Sequence, residues 1–270
     1  GGDNWQMQNT DVTITLNSIV FTDTQTGWAA GALGSILKTT DGGNYWVAQT
    51  SGTDKTLSCL FFLNNLTGWA SGNAGTILKT VDGGITWASL TSGIANGIPS
   101  ICFVNTQTGW VCSNSLIKKT TDGGSTWNDQ ISNTNEMLNS IQFLNPQTGW
   151  AIGSTGVIRK TTNGGMTWSG SFWSDNNMYA VYFVNAQNGY VVGEAGTILK
   201  STNGGTSWSY ISPYTYNITS LQFTSPNTAW ANCSFGPIIK STTGGIDWFT
   251  PNASAVNNQV VFFWDDLIGW

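Results

Sequence analysis

The sequence repeats itself with a period of 40 or 41 residues. One mark of the repeat is a tryptophan that ends a glycine-rich turn, found at Trp5, Trp46, Trp87, Trp127, Trp168, Trp208 and Trp248. The other is an aromatic residue after Gly or Ala, found at Trp28, Trp69, Trp110, Trp150, Tyr190, Trp230 and Trp270. This period, filled with short β-type runs and lacking a long helical pattern, is typical of four-stranded propeller blades. The predicted fold class is all-β, a seven-bladed β-propeller.

Residues 12–50 show how one blade is read. The runs LNSIVFTD, TGWAAGA, SILKTTD and YWVAQTS predict four strands in order from the inner to the outer edge. The turn between the first two strands has forms such as NPQTG at 145–149, and its glycine is predicted to take a left-handed conformation. Ala229 replaces that glycine in one repeat, so we expect a cost of about 1 kcal/mol or a different turn there.

A turn with two adjacent glycines joins the third strand to the outer strand. We call these six segments, 41–46, 82–87, 122–127, 163–168, 203–208 and 243–248, the GG turns. Their first side chains are expected to accept backbone N–H groups; the predicted acceptors are Asp41, Asp82, Asp122, Asn163 and Asn203. Their tryptophans are expected to pack into the core. A cluster that recurs so often is predicted to be architectural.

The GG turns and their flanks carry a family resemblance. Their consensus, Ser/Thr-x-Asp-x-Gly-x-Thr-Trp, resembles the Asp box of bacterial-neuraminidase-type repeats. The longer pattern TGW..G..G.ILKT.DGG.TW resembles the photosystem II stability and assembly factor family and its secreted bacterial relatives, across essentially the whole chain. The resemblance implies the fold more than a function, because the same repeats occur in sialidases, xyloglucanases, sortilin-like receptors and non-catalytic binding proteins.

The motif count predicts an incomplete last blade. The inner-strand and Gly-Trp motifs occur seven times, whereas the third-strand motif ILKT occurs six times, with variation. We predict one propeller domain over residues 1–270, with the outer strand of the seventh blade at 3–10 and its first two strands within 258–270. Its third strand is missing, so the natural protein is expected to continue past Trp270, with that strand and an additional module.

The residue inventory argues against most enzymes. A sialidase clamps its substrate carboxylate with several arginines, and this chain has one, Arg159. The absence of histidine removes Ser-His-Asp and Cys-His chemistry and His-based metal sites. No catalytic residue, cofactor or metal is therefore expected. A glycoside hydrolase using Asp175 and Glu194 stays open as an alternative, since such an enzyme needs two facing carboxylates.

Charge and apolar patterning limit the partners further. The formal net charge of −5 argues against nucleic acid, which needs clustered basic residues. No apolar stretch predicts a membrane span or a signal peptide. One lysine recurs per repeat, at Lys38, Lys79, Lys119, Lys160, Lys200 and Lys240. Packing of their alkyl stems is favoured over a basic patch such as the assembly-factor relatives are known for, there chiefly of arginines.

The four cysteines leave two interpretations open. Cys102 and Cys112 lie on the two arms of one hairpin, equidistant from Gln107, so they are predicted to be directly opposite if the register is simple. A disulfide between them is geometrically demanding. Buried free thiols, which include Cys59 and Cys233, are the favoured interpretation.

Two tryptophans fall outside the repeat positions, and one of them gives the best functional lead. Trp264 is expected to pack, whereas Trp173 lies in SFWSDNNMY, on a loop between an outer strand and the next inner strand. Such loops lie on the propeller face that usually binds ligands, beside the second-to-third-strand loops. The predicted ligand-binding residues are Trp173, Asp175, Asn176, Asn177, Glu194, Tyr214, Tyr216 and Phe235. The alternative is that Trp173 only covers the edge of a blade.

These observations predict a non-enzymatic recognition or scaffold propeller. The first hypothesis is that it binds a glycan or another cell-surface ligand through the Trp173 face, outside the cell or at its surface. A protein-assembly factor or a structural component of a surface complex is the second, and a glycoside hydrolase the third. The expected partner is a glycan or a protein.

Overall fold

The computed structural model describes residues 8, 10, 12–211, 214–251 and 261–270. The chain divides into two compact units, Met7–Ser132 and Asn133–Trp270. Within the described residues, each unit contains three antiparallel sheets, in which the strands follow one another in chain order. These sheets are the predicted blades.

The first unit has three four-stranded sheets. Their strands are β1 Leu16–Phe21, β2 Gly27–Gly31, β3 Ile36–Thr39 and β4 Val47–Gln49; β5 Leu57–Phe62, β6 Gly68–Gly72, β7 Thr76–Thr80 and β8 Ala88–Thr91; and β9 Ser100–Phe103, β10 Gly109–Ser113, β11 Leu116–Thr120 and β12 Asn128–Gln130. The four strands read from residues 12–50 are thereby confirmed as β1–β4.

The second unit has two four-stranded sheets and one three-stranded sheet. Their strands are β13 Leu138–Phe143, β14 Gly149–Gly153, β15 Val157–Thr161 and β16 Ser169–Phe172; β17 Met178–Phe183, β18 Gly189–Gly193, β19 Ile198–Ser201 and β20 Ser209–Tyr210; and β21 Ile218–Phe223, β22 Ala229–Cys233 and β23 Ile238–Ser241. An isolated bridge from Lys240 to Phe249 takes the place of a fourth strand in the last sheet.

The prediction of seven blades is wrong, because the described residues form six sheets. Residues 261–270 form a short hairpin with one isolated bridge, Phe263 to Gly269, and no other strand of the described residues pairs with it. The Phe263 ring nevertheless stacks on Trp230 of the sixth sheet, with ring centroids 3.9 Å apart. The outer strand predicted at 3–10 lies almost wholly outside the described residues, and residues 8 and 10 are in no strand.

The aromatic marks of the repeat pack consecutive sheets together within each unit. Trp28 stacks on Phe62 of the next sheet at a centroid distance of 3.8 Å, and its indole N–H donates to the Gly83 carbonyl at 3.1 Å. Phe62 meets Trp87 of its own GG turn edge-on. The first stack recurs in the pairs Trp69–Phe103 and Trp150–Phe183. Each aromatic pair contributes about 0.5–1.5 kcal/mol of stability beyond the contribution from the buried area of its rings. The aromatic residues that mark the repeat therefore form the core.

The glycine of the first turn is needed for space and not for a left-handed backbone. Gly149 lacks a positive φ, and a Cβ added there would lie 2.6 Å from the Phe143 ring, so the expected left-handed glycine is wrong. Ala229 stands in place of this glycine in the sixth sheet, where the ring opposite it also packs against a tyrosine instead of a tryptophan. There the Phe223 ring is tilted by 33° against Tyr190, whereas the stacked tryptophan–phenylalanine pairs lie within 8° to 14° of parallel.

The four cysteines are free thiols, as favoured from the sequence. Cys102 pairs in register with Trp110 and Cys112 with Ser100, so the predicted direct opposition of Cys102 and Cys112 is wrong. Burial raises the pKa of the Cys59 and Cys112 thiols and raises that of Cys233 to about 11.

No helix among the described residues is long and apolar enough to cross a lipid bilayer.

Candidate functional site

In each sheet the strands run between two opposite ends, and the strand order places different connections at each end. The turns from first to second strand and from third to fourth strand, which include the GG turns, lie at one end of the strands, which we call the GG edge. The turns from second to third strand and the connections to the next sheet lie at the other, which we call the loop edge. The predicted ligand-binding residues all belong to the loop edge.

At the GG edge, the turn at 82–87 shows the shared hydrogen bonds. The Thr80 hydroxyl donates to the Asp82 carboxylate and accepts the Gly84 N–H, both at 2.8 Å. The carboxylate also accepts the Thr86 N–H at 2.9 Å and the Thr86 hydroxyl at 2.6 Å. These hydrogen bonds, chiefly from the threonine side chains, stabilise the charged form and lower the pKa of Asp82 and Asp122 to about 2.

Other residue types fill the same position in the remaining turns. The side chains of Asp41, Asn163 and Asn203 accept the backbone N–H four residues on, at 2.9–3.0 Å, and the Thr243 hydroxyl does so in the last GG turn. The GG-turn tryptophans are buried at Trp46, Trp168, Trp208 and Trp248 and half-buried at Trp87 and Trp127. The GG turns are therefore structural locks that accept several polar side chains.

The lysine series also belongs to the GG edge. Each ammonium lies over the aromatic ring of the second strand in its own sheet, at 4.3–5.9 Å from the centroid. Lys200 Nζ also donates to the Gly244 carbonyl of the next GG turn at 2.8 Å. Burial lowers the pKa of Lys119 and Lys200. These cation–π contacts favour the packing interpretation over a basic patch.

At the loop edge, the turn from second to third strand repeats one unusual backbone conformation. Its middle residue has φ between 47° and 55° in all six sheets, at Leu33, Ala74, Asn114, Thr155, Ala195 and Phe235. A left-handed conformation costs an L-residue about 1–2 kcal/mol. Because alanine and phenylalanine both occupy it, the turn fixes the backbone and leaves the side chain free. Phe235 uses this freedom to expose 82% of its surface.

Hydrogen bonds join these turns to the Trp173 loop. The Trp173 N–H donates to the Gly156 carbonyl at 2.9 Å, and the Gly156 N–H donates to the Asn176 carbonyl at 2.8 Å. The Asn177 N–H donates to Glu194 Oε2 at 3.0 Å, and the Glu194 N–H returns to the Asn177 carbonyl at 2.8 Å. The structure therefore brings Trp173 and Glu194 onto one connected surface.

The connection continues into the sixth sheet. Asn217 accepts the Ala195 N–H on its side chain at 3.0 Å and the Ser234 N–H on its backbone at 2.7 Å. The Tyr216 ring lies against Gly236, 2.9 Å from where a Cβ would stand. We call the connected loops 171–177, 194–197, 214–217 and 234–237 the loop strip.

The predicted residues divide by exposure within the loop strip. Trp173 exposes 39% of its surface, and Tyr216 is similarly exposed beside Phe235. Asp175 is exposed and Glu194 is half-buried. The loop strip thus displays three aromatic rings and two carboxylates on backbone that hydrogen bonds hold in place.

Three other predicted residues have their polar groups or rings engaged within the protein. The Asn176 side chain donates to Thr197 Oγ1 at 3.1 Å, and Asn177 bonds to Glu194 as described above. Tyr214 packs against the buried cluster of the fifth and sixth sheets, and burial raises the pKa of its hydroxyl. These residues shape the loops instead of facing solvent as the exposed rings do.

Tyr179 is a residue of this surface that the sequence analysis missed. Burial and the nearby Glu194 carboxylate raise the pKa of its hydroxyl. The equivalent positions in four of the other five sheets carry smaller polar residues, Asn17, Ser58, Asn139 and Thr219. The same departure from the repeat that drew attention to Trp173 would have identified it.

Arg159 is buried, whereas Trp264 is exposed. The Arg159 guanidinium is 5% exposed, donates to the carbonyls of Asn133 and Ser171 at 3.1–3.2 Å, and lies over the Phe172 ring. Burial lowers its pKa. Trp264, which was expected to pack, is exposed.

A cavity of about 710 Å³ lies in the first sheet, lined by residues 33–37 and 48–54 together with Val12. Its lining includes one carboxylate, Asp54, which forms an ion pair with Lys55 at 2.9 Å. Retaining and inverting glycosidases both need two carboxylates across a cleft, so this cavity gives the glycosidase alternative no support.

The repeated sheets, their aromatic stacks and the GG turns define a β-propeller protein. The chain belongs to the photosynthesis system II assembly factor YCF48 family, whose model matches residues 2–100 and 87–171. The resemblance read from the GG turns is thereby confirmed. The comparison with curated proteins gives no match.

Solved structures show the same fold. "YCF48 bound to D1 peptide" is 20% identical, with a TM-score of 0.79 over 96% of this chain and 88% of that one. "YCF48 from Cyanidioschyzon merolae" is 18% identical, with a TM-score of 0.78 over 98% and 94%. The WD40 β-propeller domain of Doa1 is 11% identical, with a TM-score of 0.71 over 87% and 81%.

Proposed function

We propose that this chain is a non-enzymatic assembly module that binds an extended segment of a partner protein on the loop strip. Membership of the YCF48 assembly-factor family carries the proposal. A solved protein with the same fold is described as bound to a D1 peptide, which makes a peptide segment the natural ligand class. The comparisons offer no corresponding support for a glycan, the first hypothesis from the sequence.

The geometry of the loop strip also favours a protein segment. Trp173, Tyr216 and Phe235 offer apolar ring surface on loops whose backbones are already fixed by hydrogen bonds, so little conformational entropy is lost on binding. A glycan site would use free amides beside an exposed ring. The Asn176 amide is instead bonded to Thr197 and to the Glu194 carbonyl.

A peptide-display selection on the purified protein tests the proposal, with a glycan array run in parallel. The wild-type protein is expected to enrich peptides with apolar residues. The double variant Trp173→Ala/Phe235→Ala is expected to lose about tenfold or more of the affinity for them, because exposed aromatic anchors dominate such interfaces. Tyr210→Ala is the control, since Tyr210 is an aromatic residue on the outer strand β20 whose exposed fraction lies between those of Trp173 and Phe235.

Each other result counts against the proposal. Peptide binding that the double variant retains would place the site away from the loop strip. Glycan binding without peptide binding would restore the first hypothesis. Failure of the wild-type protein to enrich any peptide would contradict the protein-binding function itself.

A further inference from the structure

We infer that the loop strip selects a partner segment that carries a lysine or arginine next to an apolar residue. This inference rests on the proposed function and adds the charge of the ligand to it. Two independent features support it: the loop edge of the second unit carries carboxylates without an exposed cation among the described residues, and one of these carboxylates belongs to the same connected loops as the exposed aromatic rings.

The loop edge of the second unit carries carboxylates and no lysine among the described residues. The GG edge carries lysines and also three carboxylates, those of Asp247, Asp265 and Asp266. The carboxylates of Glu136, Asp175 and Glu194 lie on connections of the loop edge. The unit has three lysines, Lys160, Lys200 and Lys240, and each lies over an aromatic ring of its own sheet at the GG edge.

Arg159 does not offset the carboxylates at the protein surface. Its guanidinium is buried and donates to the carbonyls of Asn133 and Ser171. Residues 212–213 and 252–260, which lie outside the structural description, carry no charged side chain in the sequence. The loop edge of this unit therefore presents negative charge, and electrostatic complementarity favours a cationic segment.

Glu194 stands at the centre of the loop strip. Its Oε2 accepts the Asn177 N–H, which fixes the carboxylate beside the loop that carries Trp173. The next residue, Ala195, bonds to Asn217, which follows Tyr216 in the chain. A surface that carries both a carboxylate and exposed aromatic rings suits a cationic side chain, because the carboxylate can pair with its charge while a ring contacts its methylene groups.

Phe235 supplies the adjacent apolar contact. Its left-handed turn is built equally well around alanine in two other sheets, so the fold does not require a phenylalanine there. The Phe235 ring shares the loop strip with the exposed rings of Trp173 and Tyr216, and a group of exposed apolar side chains is typical of a protein-binding surface. The segment that fits this surface has a basic residue over Glu194 and an apolar residue over Phe235.

Peptides from the display selection test the inference directly. We expect them to be enriched in lysine and arginine over the library, and their affinity to fall about tenfold between about 0.05 and 0.5 M salt. In Asp175→Asn/Glu194→Gln, which keeps an acceptor for the Asn177 N–H, affinity for a lysine-containing peptide is expected to fall about tenfold. The same peptide with glutamine in place of lysine is expected to bind the wild-type protein and this variant with equal affinity.

Asp247→Asn is the matched control, because it removes one carboxylate from a GG turn. Enriched peptides without basic residues, or affinities that are indifferent to salt and to the double variant, would overturn the inference while the proposed function stands. No peptide binding by the wild-type protein would overturn both. Equal weakening by Asp247→Asn would show a general field effect and contradict a site at Glu194.

Discussion

The two edges of the sheets differ in what the repeat holds constant. At the GG edge, the backbone and the side chains recur together, since each turn uses a polar acceptor, two glycines and a tryptophan. At the loop edge, the backbone recurs, with the same left-handed residue in every sheet, while its side chain varies from alanine to phenylalanine. The comparison teaches that the first edge maintains the fold and that the second is free to carry recognition.

The largest effect should come from a tryptophan that packs two sheets together. Trp150 is fully buried and stacks on Phe183 with centroids 3.5 Å apart, so Trp150→Ala is expected to cost about 3–5 kcal/mol of unfolding free energy. Trp173→Ala, at the loop edge of the same sheet, is expected to cost less than about 1 kcal/mol. Urea denaturation of both variants measures the difference. Equal losses of unfolding free energy would contradict the distinction between the two edges.

Backbone substitutions at positive φ should give the next largest difference. Gly205 has φ +83°, and an added Cβ would lie 2.8 Å from Trp150 Nε1, so Gly205→Ala is expected to cost about 2 kcal/mol or more. Ala195→Gly relaxes a left-handed residue at the loop edge but makes the unfolded chain more flexible, so its net effect should lie within about 0.5 kcal/mol of zero. Thermal unfolding of the two variants provides the measurement.

Acid should weaken the GG edge selectively. The folded-state pKa of Asp82 and Asp122 is lowered from 3.8 to about 2, so the stability they contribute is present above the unfolded-state pKa and is lost as pH falls from about 4 towards 2. The double variant Asp82→Asn/Asp122→Asn should flatten the dependence of Tm on pH in this window. Asparagine already serves this position at Asn163 and Asn203, so the variant should fold. If the Tm of the variant fell with pH in this window as steeply as that of the wild-type protein, the prediction would be contradicted.

The smallest effect on stability should come from the tip of the loop strip. Phe235 is mostly exposed, and its turn accepts alanine elsewhere, so Phe235→Ala should change the unfolding free energy by less than about 0.5 kcal/mol. The same variant should weaken peptide binding. A large drop in Tm would show that the ring supports the fold and would remove the distinction between the two edges.

The sequence predicted those features that recur with the repeat as residue types. It did not predict the features that depend on strand pairing or on contacts between residues far apart in the chain. The four strands of a sheet, the GG turns and the stacked tryptophans follow from spacing and residue type. The prediction of a seventh blade was wrong because a motif count cannot show whether a hairpin pairs with further strands, and among the described residues this one pairs with none. Cys102 was misplaced because the turn ends with Phe103 opposite Gly109, a register that the sequence does not reveal.

The candidate site was found only in part for the same reason. Trp173 and Phe235 stand out because they depart from the repeat. The engagement of Asn176 depends on Thr197, 21 residues away, and no local pattern indicates that bond. Polar residues in a loop therefore could not be sorted from sequence into those that face a partner and those that bind their own chain.

The stack that joins Trp28 to Phe62 also bears on how such a chain can grow. The contact is head-to-tail, because a repeat presents its second-strand ring to the following repeat and its first-strand ring to the preceding one. A duplicated stretch of one period would bring both surfaces with it and could join existing neighbours without new contacts having to evolve. Repeat number can therefore change in single steps among relatives, while each new copy starts with a loop-edge turn whose side chain is free to diverge.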